Sequence, residues 1–190
     1  MTKYFAPREL MRALGTVLFA GALAGVGTAP VASAQSPHAL TATARIAGLG
    51  GAKISGELKF AQAAGPVRVT GKLAGLPPGP HGFHVHVNGN CDSADGMSAG
   101  GHFNPKGAPH GDVAAAKHHL GDMGNIVADA AGNADVDIEL SGVVLTLIGT
   151  NSLLNRSVIV HAARDDFSQP VGNAGARIAC GVIETDHMVM

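Results

Sequence analysis

A chain of 190 residues, 46% hydrophobic and 14% charged, has room for one globular domain of ordinary size. Its 13 Lys+Arg against 14 Asp+Glu give a formal charge of -1, which excludes the basic surface that nucleic acid demands. With 27 Gly, 10 Pro, no Trp and a single Tyr, long helices are hard to place.

The chain opens with Lys3, Arg8 and Arg12, followed by an apolar run from Ala13 to Ala29. Ala32-Ser33-Ala34 then has the small-x-small pattern of a signal-peptidase site. Residues 1–34 are therefore expected to be a signal peptide cleaved near Ala34-Gln35, and 35–190 a mature domain that is periplasmic or secreted. A retained amphipathic or membrane helix is the alternative. The run is shorter than the roughly 20 residues of a membrane span and no comparable run follows. No polybasic or lipidation motif follows either, so no membrane partner is expected. Cleavage leaves ten basic against thirteen acidic residues, a formal charge of -3. The two cysteines, Cys91 and Cys180, suffice for one bridge in an oxidising compartment. It would close a loop of about 90 residues, worth roughly 4 to 5 kcal/mol in chain-entropy models.

Short alternating runs dominate the mature part. Lys53 to Phe60 and Val67 to Leu73 alternate polar and apolar residues, as strands with one buried face do. Phe83-His84-Val85-His86-Val87 repeats the pattern with histidines on one side. Further strands are predicted at Gly124 to Ala128, Ala134 to Leu140, Val143 to Ile148, Ser157 to Ala162 and Ala176 to Ile183. Turn clusters such as Ala64-Gly65-Pro66, Leu76-Pro77-Pro78-Gly79-Pro80 and Ala131-Gly132-Asn133 separate them. This pattern predicts an all-β, antiparallel sandwich or barrel. From Asn88 to Gly121 no strand is evident, and structureless loops of that length are usually functional or disordered.

All ten histidines fall in 35–190, eight of them between His81 and His161. His84 and His86, two apart in a strand, project from one face, and His161 could join them from a neighbouring strand. Such nitrogens suit copper; two ordinary half-buried histidines are the plainer reading. His102, His110, His119 and Asp122 form a second set in the long loop. Three imidazoles and a carboxylate fill a tetrahedral zinc shell, and a closed shell is structural. A polar loop with incidental histidines is the alternative, but an ion would order a segment that has few apolar side chains.

Gly82-Phe83-His84-Val85-His86, Gly101-His102-Phe103-Asn104-Pro105 and the run from Gly172 to Ile183 resemble copper,zinc superoxide dismutases. The resemblance extends from about Ala42 to Glu184, and the swollen interval between Cys91 and His102 resembles bacterial, exported members. It implies a Greek-key barrel of about eight strands with long metal-binding and active-site loops. It also implies copper held by His84, His86, His102 and His161, and zinc by His102, His110, His119 and Asp122, with His102 bridging the two as an imidazolate. His118 competes with His119, but the His119-Leu120-Gly121-Asp122 spacing matches the family pattern. Asp165 would link His84 to His110 from behind, with Asp166 as its possible confusion. Cys91 and Cys180 would form the disulfide, and Arg177 would attract the anion.

The implied reaction converts superoxide to oxygen and hydrogen peroxide by Cu(II)/Cu(I) cycling, with His102 gaining a proton in the first half-reaction and supplying it in the second. The segment from Arg164 to Val171 lacks Glu and Lys, and Val171 stands where animal relatives carry a hydroxyl. The resemblance leaves monomer and homodimer equally open. Two other readings remain at this point. One is a periplasmic copper or zinc carrier without turnover, for which His187-Met188-Val189-Met190 offers slight support. The other is a mononuclear zinc hydrolase on His84, His86 and His161, which leaves the second set unexplained.

Overall fold

A computed structural model describes residues 39–186; the segment 1–34 expected to be a signal peptide, His38 and the tail 187–190 lie outside the described residues. Eight strands form: β1 (Leu40–Gly48), β2 (Ser55–Gln62), β3 (Val67–Ala74), β4 (Gly79–His86), β5 (Asp122–Ala128), β6 (Ala134–Leu140), β7 (Ser157–His161) and β8 (Arg177–Thr185). They pair antiparallel in the order β5-β4-β7-β8-β1-β2-β3-β6. The chain crosses the barrel between β3 and β4 and again between β6 and β7. The outermost strands, β5 and β6, are joined by a short turn and approach each other, so the sheet rolls into a nearly closed barrel. The all-β expectation holds; among the described residues the only helical element is a 3-10 turn at Met97–Ala99. No helix of the described residues is long and apolar enough to cross a membrane.

The interior is built by alternation. Leu58 and Phe60 on β2, Val67, Val69 and Leu73 on β3, Phe83 and Val85 on β4, and Val158 and Val160 on β7 share one buried core. Each such side chain contributes about 1.5 to 3 kcal/mol relative to exposure. Phe103 and Leu120, from the long loop, enter the same core and anchor that loop to the barrel end. The Arg156 guanidinium lies 4.2 Å over the Phe103 ring and donates to the Val87 carbonyl at 2.6 Å, fastening the loop where it leaves β4.

Two expectations fail for physical reasons. Strand β1 was not expected, because its inward residues Ala42 and Ala44 are too small to mark a hydrophobic rhythm, although both are fully buried. Val143 to Ile148 is not a strand: it crosses the barrel end, burying Val143 and Leu145 and exposing Leu147 and Ile148. The Gln62 side chain takes the place of a partner strand there, accepting from the Leu145 N–H at 3.0 Å and donating to the Val143 carbonyl at 3.3 Å. From Asn88 to Gly121 the chain is strand-free, as expected, save for an isolated bridge between His86 and His102.

Cys91 and Cys180 are bonded, with a sequence separation of 89. Cys180 faces outward from β8 with Ile159 and Ala99, so the bridge pins the long loop onto the outer face of β7 and β8. Replacing both cysteines by serine should lower the stability of the metal-free protein by up to about 5 kcal/mol, from the closed-loop length. Urea unfolding should show it as a lower midpoint, and an unshifted midpoint would contradict a stabilising bridge.

Candidate metal centre

Antiparallel register assembles the histidines. On β4, Phe83 and Val85 point into the barrel while His84 and His86 point outward, and all four are buried because loops cover the outer face. Residue His84 pairs with Ile159 of β7, so His161, two residues further on the same face, is a diagonal neighbour of His84. His161 in turn pairs with Arg177 at the start of β8. The outer face of three adjacent strands therefore carries three imidazoles and a guanidinium.

The long loop supplies the rest. The Val87 N–H donates to the Gly101 carbonyl at 3.0 Å, and the Phe103 N–H donates to the Val85 carbonyl at 2.8 Å, which hold His102 against β4. The His102 ring stacks on that of His84 with centroids 4.1 Å apart. His84, His86, His102 and His161 form one cluster of potential ligand atoms within 4.8 Å of one another; His102, His110, His119 and Asp122 form another, sharing His102. His118 belongs to neither; its Nδ1 lies 2.7 Å from the His119 carbonyl. His81 is buried behind the site, with its ring nitrogens 2.8 Å and 2.7 Å from the carbonyls of His161 and Pro77.

Hydrogen bonds define which nitrogen of each ring carries the proton, since a carbonyl or carboxylate can only accept. The His86 Nδ1–H donates to the Gly100 carbonyl at 2.9 Å and the His161 Nδ1–H to the Gly175 carbonyl at 3.1 Å. The His84 Nε2–H donates to Asp165 Oδ2 at 2.7 Å. The opposite atoms, His86 Nε2, His161 Nε2 and His84 Nδ1, are buried without any hydrogen-bond partner. Three orphaned lone pairs converging in one cluster are costly in a protein alone, and they are what a metal ion requires. Burial pushes the His86 imidazole down to about 2 and the His161 imidazole down to about 3. Burial lowers His84 and His119 as well. Neutral rings, the ligating form, are thus favoured.

The second cluster has tetrahedral dimensions. His102 Nδ1 and His119 Nδ1 are 3.4 Å apart, and each is 3.2 Å from Asp122 Oδ1. His110 Nδ1 lies 3.0 Å from Asp122 Oδ2. Bonds of about 2.0 Å from a central zinc give tetrahedral edges of about 3.3 Å. Oδ2 of Asp122 also accepts from the N–H groups of Gly111 at 3.1 Å and His119 at 2.9 Å, which orients the carboxylate. Burial alone would raise the Asp122 carboxyl, but the His102 hydrogen bond and the charges of His110 and His119 outweigh it and the net shift is downward.

Asp165 stands behind both clusters. Its Oδ2 accepts from His84 Nε2–H at 2.7 Å and from His110 Nε2–H at 2.8 Å, while Oδ1 accepts from the Phe167 N–H at 2.9 Å. Burial would raise this carboxyl, yet the His84 and Phe167 hydrogen bonds prevail and hold it at about 2. Asp166 faces away, accepting from Ser168 and Asn173 within its own loop. Only glycine fits at 172, where φ is 72° and a Cβ would overlap Asp165 Oδ1. Two supports have no signal in the sequence. Asn125 on β5 exchanges two hydrogen bonds with the Asp165 backbone, at 2.7 and 3.0 Å, and Gln169 does the same for His110, at 3.0 and 2.8 Å.

His86, His102 and His161 open onto a cavity of about 330 Å³ whose lining includes Arg177, Met97 and Val171. His110, His119 and Asp122 do not reach it; they are sealed beneath the loop. One Nη1–H of Arg177 donates to the Gly96 carbonyl at 2.7 Å, which aims the guanidinium at the cavity. One cluster is thus accessible and the other closed.

Residues 54–183 match the family described as copper/zinc superoxide dismutase (SODC). The extracellular superoxide dismutase [Cu-Zn] of Brugia pahangi is 44% identical over 141 residues, 68% of this chain and 69% of that protein. The superoxide dismutase [Cu-Zn] of Onchocerca volvulus is 44% identical over 154 residues, 74% of this chain and 95% of that protein. The crystal structure of the clock protein EA4 shares the fold with a TM-score of 0.68 at 35% identity, covering 79% of this chain and 96% of that one. With its two histidine clusters and its barrel, the chain belongs to the copper/zinc superoxide dismutase family, oxidoreductases that take superoxide as substrate and copper and zinc as cofactors.

Proposed function

We propose that the exported mature chain removes superoxide at the accessible cluster, with His84, His86, His102 and His161 as the copper ligands and His102, His110, His119 and Asp122 as the zinc ligands. The observation that carries this assignment is the set of three orphaned nitrogens converging on one point beside a second, tetrahedrally spaced set. Four imidazoles, three of them open to a cavity, suit a copper that must meet substrate. Three imidazoles and a carboxylate, closed on all sides, suit a structural zinc.

When bound, copper supplies the one-electron couple that superoxide reduces and then reoxidises, and zinc supplies a fixed charge with no redox chemistry. The protein does the rest. Arg177, charged at every physiological pH, draws the small anion into a cavity on a domain whose formal charge of -3 would otherwise repel it. His102 turns Nδ1 toward Asp122 and His119, which leaves Nε2 facing the accessible cluster. That nitrogen takes up a proton as the first superoxide is oxidised to oxygen, and returns it as the second is reduced. A second proton comes from solvent, so two superoxide anions and two protons give one oxygen and one hydrogen peroxide. Asp165 holds the Nε2–H tautomers of His84 and His110, so that Nδ1 of each ring is the atom turned toward its cluster.

Export rests on the 1–34 signal pattern, and the disulfide and an extracellular relative are in keeping with it. The bacterial, periplasmic subtype is supported by the long interval from Cys91 to His102, whereas the relatives above are nematode enzymes.

The purified mature protein is expected to contain one copper and one zinc and to lose activity with a chelator. Arg177→Ala should cut the rate constant by about tenfold or more and flatten its dependence on ionic strength. A chain with copper but no turnover would be a carrier, and would show no activity for this substitution to remove.

Asp165→Asn should weaken metal retention by about 10 to 100-fold, because one acceptor oxygen serves two ligand rings. Competition with a graded chelator reads this directly, and wild-type affinity in the variant would remove Asp165 from the role.

For the metal-free chain, His86 and His161 titrate near 6.5 when unfolded and at about 2 and about 3 when folded. The unfolded state therefore binds more protons below pH 6.5. Stability is full above that value and falls as pH drops toward the folded values. Between pH 7.5 and 5.0 each ring should cost on the order of 2 kcal/mol. Urea unfolding at the two pH values measures the loss; equal stability at both would show that these rings are not held neutral.

A further inference from the structure

Met97 lies in the cavity lining beside His86, His102, His161 and Arg177, and its side chain is 61% exposed. Its position is held rather than loose. Gly96 adopts φ 71°, the Met97 N–H donates to Asp95 Oδ1 at 3.0 Å, and the Met97 carbonyl accepts from the Gly100 N–H at 3.0 Å. The Gly96 carbonyl that receives Arg177 belongs to the same peptide unit as the Met97 nitrogen. The Met97 backbone is thereby held beside the carbonyl that receives the guanidinium, and both side chains line one cavity. The other described methionine, Met123, is 1% exposed inside the barrel core.

The cavity is also where a peroxide-forming reaction would release its product, so an oxidisable sulfur stands at the mouth of a peroxide source. We propose that Met97 is a site of reversible oxidation by hydrogen peroxide, and that its sulfoxide lowers the affinity of the cavity for small anions. The thioether sulfur attacks one peroxide oxygen and the O–O bond breaks. The second oxygen leaves as hydroxide and takes the proton of the hydroxyl transferred to sulfur, giving water and the neutral sulfoxide. Sulfur loses two electrons, peroxide gains them, and the net change is thioether plus hydrogen peroxide to sulfoxide plus water. The new S–O dipole presents a hydrogen-bond acceptor to a guanidinium that has already given one N–H to Gly96. An anion entering the cavity then competes for the remaining donors. Rising peroxide would slow further anion entry, and a sulfoxide reductase would restore it.

The inference uses the proposed superoxide chemistry only as the source of peroxide, and its test supplies peroxide directly. The copper- and zinc-loaded protein is exposed to hydrogen peroxide, cleared with catalase and split. After reduction and alkylation of the Cys91–Cys180 bridge, trypsin gives one peptide over 73–106 with Met97 as its only methionine and another over 118–156 with only Met123. Azide serves as the anion probe, titrated by the absorbance of the copper centre. Sulfoxide should form at Met97 in about tenfold or greater excess over Met123, as exposure dictates. The azide dissociation constant should rise about threefold or more, return with methionine sulfoxide reductases, and not respond to peroxide and reductase in this reversible way in Met97→Leu. The proposal is overturned if Met97 is modified no more than Met123. It is equally overturned if the protein carrying Met97 sulfoxide binds azide as before, or if Met97→Leu shows the same reversible loss. Absence of superoxide removal before treatment would sink the functional reading instead, while mass and azide still decide the fate of Met97.

Discussion

One carboxylate oxygen organises the site. Asp165 Oδ2 accepts from His84 on strand β4 and from His110 on the long loop, and the residue itself belongs to the loop after β7. Three segments that are distant in sequence are thereby locked at a point with no access to water, where all three side chains are fully buried. In such a medium a charge-assisted hydrogen bond is strong, and its loss leaves a stranded charge. The tautomers of two rings, and so the direction of two lone pairs, follow from that single acceptor. Gly172 and Asn125 matter because they leave room for Asp165 and hold its backbone.

Such a cluster is expensive for a protein without its ions. Burial strips water from six imidazoles and two carboxylates, and three ring nitrogens then have no partner. The barrel bears this cost because its apolar alternation is independent of the outer face: Phe83 and Val85 pack inward on the same strand that carries His84 and His86 outward. The disulfide adds a second restraint by tying Cys91 on the loop to β8, three residues from Arg177. Stability is drawn from the inner face and spent on chemistry at the outer one, which is why the loops can be long without the fold losing its shape.

Electrostatics divide in the same way. Residues 35–190 are net negative, yet the open cavity is lined by a guanidinium and three imidazoles, while the buried carboxylates Asp122 and Asp165 are turned away from it. Long-range repulsion of an anion is thus opposed by a short-range attraction that lies at the mouth. The apolar residues Met97 and Val171, 61% and 45% exposed, line the same cavity.

Much of this was legible in the chain alone. Alternation placed Phe83 to His86 on a strand with both histidines on one face, and turn chemistry marked the all-β class, because strand period and turn preference are local properties. The family motifs pointed to the same histidines, and their spacing selected Asp165 over Asp166 and His119 over His118 as the residues to examine. The fold then set Asp165 between His84 and His110, with Asp166 facing its own loop. Strand β1 stayed hidden because alanines carry almost no hydrophobic signal, and 143–148 misled because apolar residues that cap a barrel end look like those of a strand. What only tertiary structure could decide is which atoms meet: the register that puts His161 diagonal to His84 and opposite Arg177, the support of Gln169 and Asn125, and the nitrogens left without partners. These depend on pairing between segments 16 to 81 residues apart, and no local pattern records the direction in which a ring is turned by a neighbour that distant.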